Sequence, residues 1–286
     1  MTGPRGPYRP PPLLAGSIGL HAAGALALAA APRQWLAVAV AVVADHLVLG
    51  AASLWPRSRW VGPNLLRLPG DAARRGEVAL TFDDGPDPDV TPRVLDLLDG
   101  AGARATFFAI GRRAEACPGL VAETVRRGHR VENHSHTHPH LFACYSWGAL
   151  RREIERAQDA IAAAAGRPPR LFRAPAGLRN PLLDGVLHRT GLRLVSWTRR
   201  GFDAVGGDPA TVARRLLQGL APGDILLLHD GSTVRERGGN PQVLEVLPRV
   251  LDALAAQQLR SVPIEAPHPP APSPSLPPAL PGKGEA

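Results

Sequence analysis

With 286 residues and a formal net charge of +8, the chain can hold one large domain or two small ones around a buried core. Of its 33 basic residues only Lys283 is a lysine, and the arginines are scattered rather than gathered beside aromatic residues. No nucleic-acid-binding module is therefore expected. Cys117 and Cys144 permit at most one disulfide and fix no redox compartment.

Two apolar runs open the chain, Leu13 to Ala31 and Trp35 to Trp55, separated only by Pro32, Arg33 and Gln34. Each approaches the ~20 residues that cross a bilayer as a helix, and tryptophans at both ends of the second run suit the membrane interface. The expectation is a hydrophobic helical hairpin over 1–60, associated with a bacterial-type cell membrane, and a linker over 61–76. A signal peptide cleaved near "ALAAAP", or a pair of alanine-rich core helices, would show the same composition. Arg5, Arg9, Arg57, Arg59 and Arg67 flank the hairpin, and Arg33 alone lies in its turn. If both runs span, the positive-inside rule places the following domain in the cytoplasm; if only the first spans, it lies outside.

From Glu77 the pattern becomes short apolar runs alternating with amphipathic helices. "EVALTF", "ARATFFAI", "HRVEN", "RLFRAP", "LRLVSW", "DILLLHD" and "RSVPIE" read as strands. Thr91-Pro92 predicts an N-cap followed by proline at the first helical position, with the helix running to Gly100. "WGALRREIERAQDAIAAAAG" predicts a long helix ending at Gly166. This alternation over 77–264 predicts an α/β fold with a parallel sheet, open or closed into a barrel. Nine of the last 24 residues are proline, so a disordered or polyproline-like tail is expected over 265–286.

The unusual polar residues fall where the strands end. Asp83 and Asp84 follow "VALTF", "NHSHTH" follows "HRVE", "RAPAG" follows "LF", "WTRRGFD" follows "LRLVS", and "LLLHDG" ends in His229-Asp230. In a (β/α) barrel these ends form the rim where active sites assemble. Each alone has an ordinary reading: adjacent aspartates before Gly-Pro can close a turn, and a histidine tract can lie on the surface. Two neighbouring carboxylates ionise together only beside a cation, which a metal ligand next to a free base would satisfy. His134 and His138, four apart, would share a face if the segment turns helically, with His136 pointing away. Two imidazoles and a carboxylate suit zinc, or cobalt, nickel or manganese. Three protein ligands leave positions for water and substrate, as catalytic sites do. Asp83 and His229 are available as base and acid.

The ordered set "TFDDG", "HSHTH", "RAPAG", "GFD" and "LLLHD" resembles the polysaccharide deacetylase family, the carbohydrate esterases related to chitooligosaccharide deacetylase. The resemblance covers about Glu77 to Ile264. It implies a distorted (β/α) barrel and metal-dependent removal of N-acetyl groups from amino sugars. Carried over, it makes Asp83 the catalytic base, Asp84, His134 and His138 the ligands of one divalent metal, and His229 the general acid. Arg173 would orient Asp83, and Asp203 would tune His229. The N–H near Ala176 would help hold the oxyanion, and Trp197 would line the pocket or belong to the core.

The sequence departs from the family pattern at two walls of the sugar site, with Ala176 and Ala204 where aromatic residues are common. Glu132 stands where glycine is common. The expected partners are an N-acylated sugar, in a glycan or lipid-linked, and a membrane. The alternative is a catalytically silent, membrane-anchored glycan-binding domain. His136 and His140 are expected to stand aside from the ligand set, with His136 the better candidate of the two for a substrate-side contact.

Overall fold

The structure, a computed structural model, describes residues 6–232 and 240–265. The expected proline-rich tail falls outside the described residues except for Glu265. Eight strands form one parallel sheet: β1 (Glu77–Asp83), β2 (Ala105–Ala109), β3 (Arg130–Asn133), β4 (Leu171–Phe172), β5 (Arg193–Leu194), β6 (Arg199–Arg200), β7 (Ile225–His229) and β8 (Arg260–Ser261). Their order is β5-β4-β3-β2-β1-β7-β6, with β8 against the start of β1. The edge strands β5 and β6 are consecutive in sequence. A flat sheet would hold them six spacings, ~29 Å, apart. The five residue steps from Leu194 to Arg199 reach only ~18 Å when fully extended. The sheet therefore curls into an incompletely closed barrel.

Strand alternation sorts the side chains between the two faces. In β1, Val78, Leu80 and Phe82 join the outer core with Leu226 and Leu228 of β7. Ala79, Ile225 and Leu227 belong to an inner cluster with Phe108 and Trp197. Asp83 and His229 follow the inner series, which brings both to one end of the barrel interior. Helices α4 (Thr91–Gly100), α6 (Pro118–Arg126), α9 (Pro209–Leu217) and α10 (Val243–Ala256) contribute to the outer core. Burial on both sides explains why β1 and β7 are unbroken apolar runs rather than alternating ones.

Helix α7 (Trp147–Ala165) ends as expected, with Gly166 left-handed at φ 71°. Two expectations are corrected. Thr91 lies inside α4 rather than capping it, and its hydroxyl donates to Asp230 Oδ2 at 2.6 Å across the rim. The strand β6 at Arg199–Arg200, absent from the sequence reading, pairs with β7 and closes the curl.

The N-terminal runs form α1 (Pro12–Ala30) and α2 (Trp35–Leu54), joined by a short 3-10 turn at Pro32–Gln34. Both are long and apolar enough to cross a membrane. Their polar interruptions meet across the pair: the Ser17 hydroxyl donates to Asp45 Oδ2 at 2.6 Å, and the His21 and His46 rings stand edge to face. The segment leaving α2 is tied to the barrel. Pro56 O accepts hydrogen bonds from Ser196 Oγ at 2.7 Å and Asn64 Nδ2 at 2.9 Å. Both cysteines are free thiols.

Candidate active site

Asp83 closes β1 and faces inward, where Arg173 Nη1 donates to its Oδ1 at 2.7 Å. The same nitrogen donates to Thr81 Oγ1, and Nη2 donates to Ser196 O. Phe108 lies 4.1 Å beneath the guanidinium carbon. Arg173 is 1% exposed, so Asp83 is held by a charge that water barely screens.

Asp84, the next residue, has left-handed backbone at φ 73°, a conformation aspartate tolerates better than most residues. Its Oδ1 lies 3.3 Å from Nε2 of both His134 and His138, and it is buried without a hydrogen-bond partner. The donor set fits a divalent cation. His134 Nδ1 lies 2.8 Å from Arg173 O, and because a carbonyl only accepts, Nδ1 carries the proton and neutral His134 turns a bare Nε2 to Asp84. Lone pairs then face one another unless a cation, or a proton, lies among them. Burial pushes the His134 imidazole down, but Asp83 and Asp84 outweigh it and draw it up. Burial likewise works to raise the Asp84 carboxyl, and His134, His138 and His229 hold it well below the usual range.

The pairing of His134 with His138 is not helical, which corrects that part of the sequence reading. His134 follows directly on β3, and left-handed residues at Ser135 (φ 64°) and His138 (φ 53°) bend the chain back so that the ring centroids are 5.0 Å apart. His136 stands aside from the ligand set: it is 3% exposed, and a Cβ on Gly111 would sit 2.7 Å from its Nδ1. It is packed under α5 (Gly111–Ala116) rather than lining the cavity, which corrects its candidacy for a substrate-side contact. His140 is exposed. Glu132 Oε2 accepts the N–H groups of Arg170 and Leu171, joining β3 to the segment entering β4.

His229 closes β7. Asp203, fully buried, accepts its backbone N–H at 2.7 Å and its Nδ1 at 3.0 Å, which puts the proton on Nδ1. Burial would lower this imidazole, but Asp203, then Asp83 and Asp84, raise it to about 9. Asp83, Asp84, His134, His138 and His229 line one cavity of about 130 Å³. Ala176, Gly177, Trp197, Arg200 and Leu227 complete the wall. This is well below the ~300 Å³ of a full small-molecule pocket, so it holds small substituents rather than a whole ligand.

Three supports had no role assigned from the sequence. Arg113 Nη1 donates to Asp84 O at 2.9 Å and to Gly231 O at 2.8 Å, clasping the loops after β1 and β7. Gly231 is required there, because a Cβ would fall 2.2 Å from Asp84 O. Asp230 is buried beside Gly85, and burial first pushes its carboxyl up to about 7 against the Thr91 hydrogen bond. The glycines just beyond both strand ends were the available signal; Arg113, on a helix, had none.

A parallel, incompletely closed barrel with acid and imidazole groups gathered at one rim has the architecture of a (β/α)-barrel enzyme. The family model for polysaccharide deacetylase matches residues 70–195. A chitooligosaccharide deacetylase of Azorhizobium caulinodans is 36% identical over 199 residues, 66% of this chain and 94% of its own. A peptidoglycan-N-acetylglucosamine deacetylase of Bacillus cereus is 32% identical over 178 residues, covering 62% of this chain and 64% of that one. Among solved structures, a family 4 carbohydrate esterase from Streptomyces lividans in complex with acetate has a TM-score of 0.59 at 36% identity, covering 65% of this chain and 91% of that one. The chain belongs to the polysaccharide deacetylase family, hydrolases of non-peptide carbon–nitrogen bonds that use a divalent metal.

Proposed function

We propose that this chain removes N-acetyl or related N-acyl groups from amino sugars of a glycan or lipid-linked saccharide. Its catalytic domain is 77–264, after the hairpin (1–60) and linker (61–76). The observation that carries the reading is the complete acid–base pair around the orphaned Asp84 oxygen: Asp83 on Arg173, and His229 on Asp203. A silent glycan-binding domain has no use for either buried pair.

Asp84, His134 and His138 would hold the cation, with zinc suited best and cobalt, nickel or manganese fitting the same donors. When bound, such an ion polarises an acyl oxygen and acidifies water. Asp83, oriented by Arg173, takes the proton of the attacking water. The water oxygen bonds to the acyl carbon, and the N–H near Ala176 stabilises the resulting oxyanion. His229 protonates the departing nitrogen, the carbon–nitrogen bond breaks, and the acid and free amine leave. Trp197 forms a wall of the acyl pocket. Ala176, exposed at the mouth, leaves the sugar side open.

The hairpin supports a substrate near a membrane. A Cβ on Gly177, next to Ala176, would lie 2.8 Å from Pro56, so the exit of α2 stands at the cavity mouth. Trp55 and Trp60, 59% and 63% exposed, sit at this junction as interfacial anchors do. The full chain is expected to remain in carbonate-washed membranes; its release into the supernatant would refute the anchor.

The function is tested by acetate release from N-acetylglucosamine oligomers and from a lipid-linked acyl sugar. Turnover is expected with metal and not with chelator, and it should be lost in Asp83→Asn. Chelator-insensitive turnover, or an active Asp83→Asn, refutes the mechanism. No turnover of any acyl sugar by fully metallated protein refutes the function.

A further inference from the structure

Arg199 and Arg200 are neighbours in β6 and so point to opposite faces. Arg199 is fully engaged: its Nε donates to Asp224 Oδ2 at 2.9 Å and its Nη1 to Gln218 O at 2.6 Å. Arg200 turns the other way and lines the cavity that holds Asp83, Asp84 and His229. Its Nε is buried without a hydrogen-bond partner. Among the described residues no carboxylate lies within ion-pair distance of it; Asp203, three residues further along the chain, is taken by His229. Its guanidinium carbon is 4.7 Å from the Phe202 ring centroid and 5.4 Å from that of Trp197. Both rings lie within cation–π reach, which restricts the fork and reduces the side-chain entropy lost when it binds.

A permanent cation facing a catalytic cavity with an unmet donor fits an oxyanion better than a neutral hydroxyl. Guanidinium matches the geometry of phosphate and carboxylate alike. The deacetylase reading brings an N-acyl sugar to this cavity, with the acyl group between Asp83 and His229. Arg200 then meets a substituent of the same sugar or of its neighbour. The rim lacks aromatic residues at Ala176 and Ala204, so stacking on a neutral sugar ring is reduced just where a charged contact is offered.

Resting on that reading, the geometry points to Arg200 as an anion subsite: the substrate is an N-acylated amino sugar bearing a phosphate or carboxylate beside the scissile amide.

The test measures kcat/KM of the metal-loaded full chain in detergent on four substrates. These are a neutral N-acetylglucosamine oligomer, N-acetylglucosamine 1-phosphate, an N-acetylmuramic acid glycan, and a polyprenyl-diphosphate-linked N-acetylglucosamine. Wild type is expected to favour at least one anionic substrate over the neutral oligomer. Whichever arm leads separates carboxylate, free phosphate and lipid diphosphate as its source. In Arg200→Ala the anionic-to-neutral ratio should fall about 10- to 100-fold, as for loss of a charge-assisted hydrogen bond. Arg200→Lys, which keeps the charge but not the fork, should fall between. A wild type without anionic preference, or a ratio unchanged in both variants, overturns the subsite while leaving the deacetylase reading intact. If no acyl sugar is turned over, that reading fails and the subsite falls with it.

Discussion

His229→Ala is expected to lower kcat for acetate release by about 10²- to 10⁴-fold, the usual share of a positioned general acid. Bound metal, measured by atomic absorption, should stay with the protein, because His229 is outside the proposed ligand set. Asp203 occupies both the backbone N–H and Nδ1 of His229, so Nε2 is the atom left to deliver a proton. In the metal-free protein burial lowers this imidazole, but the carboxylates outweigh it and raise it to about 9. A cation beside Asp84 pulls it part of the way back down. An acid works while protonated, so this contribution is full below its pKa and is lost as pH rises through it. The kcat profile should therefore fall on its alkaline side. Asp203→Asn, which removes the main charge that raises His229, should move that limb to lower pH. A limb at the same pH in Asp203→Asn would refute the assignment of the acid.

His134→Ala is expected to weaken zinc binding by more than about 100-fold, since even changes to the partners behind a ligand cost about 10- to 100-fold. The variant loses a nitrogen already aligned on Asp84 by the Arg173 carbonyl. His136→Ala should bind zinc almost as wild type does, because its ring is packed against Gly111 rather than turned to Asp84. Its loss should appear in folding: vacating a 3% exposed site costs about 1–3 kcal/mol, read as a lower Tm. Zinc titration and thermal unfolding of both variants separate the two effects. Equal loss of zinc affinity would show the ligand set to be wrong.

The outline of this protein was written locally. Apolar runs of strand length, each followed by acid, imidazole or guanidinium, announced a parallel α/β sheet with its chemistry at one rim. The period of two along a strand already put Ala79, Thr81 and Asp83 on one face and Leu80 and Phe82 on the other. Two helix-length apolar runs announced the hairpin. These signals survive in sequence because backbone geometry alone converts them into direction.

What lay beyond the sequence depends on chain segments that meet only in space. Thr91 reads as a helix cap until Asp230, 139 residues away, draws its hydroxyl across the rim. Arg113 reads as a solvated helix charge until two loop carbonyls converge on it. The residues from His134 to His138 read as one helical turn, whereas two left-handed residues bend them, and positive φ at serine or histidine has no compositional mark. The curl of the sheet forces β6 into existence and turns Arg200 into the cavity. Residue order determined which groups reach the rim, because strand periodicity is a property of the local backbone. Tertiary structure decided which of them face one another, because burial, close approach and unpaired charge exist only once distant segments are packed together.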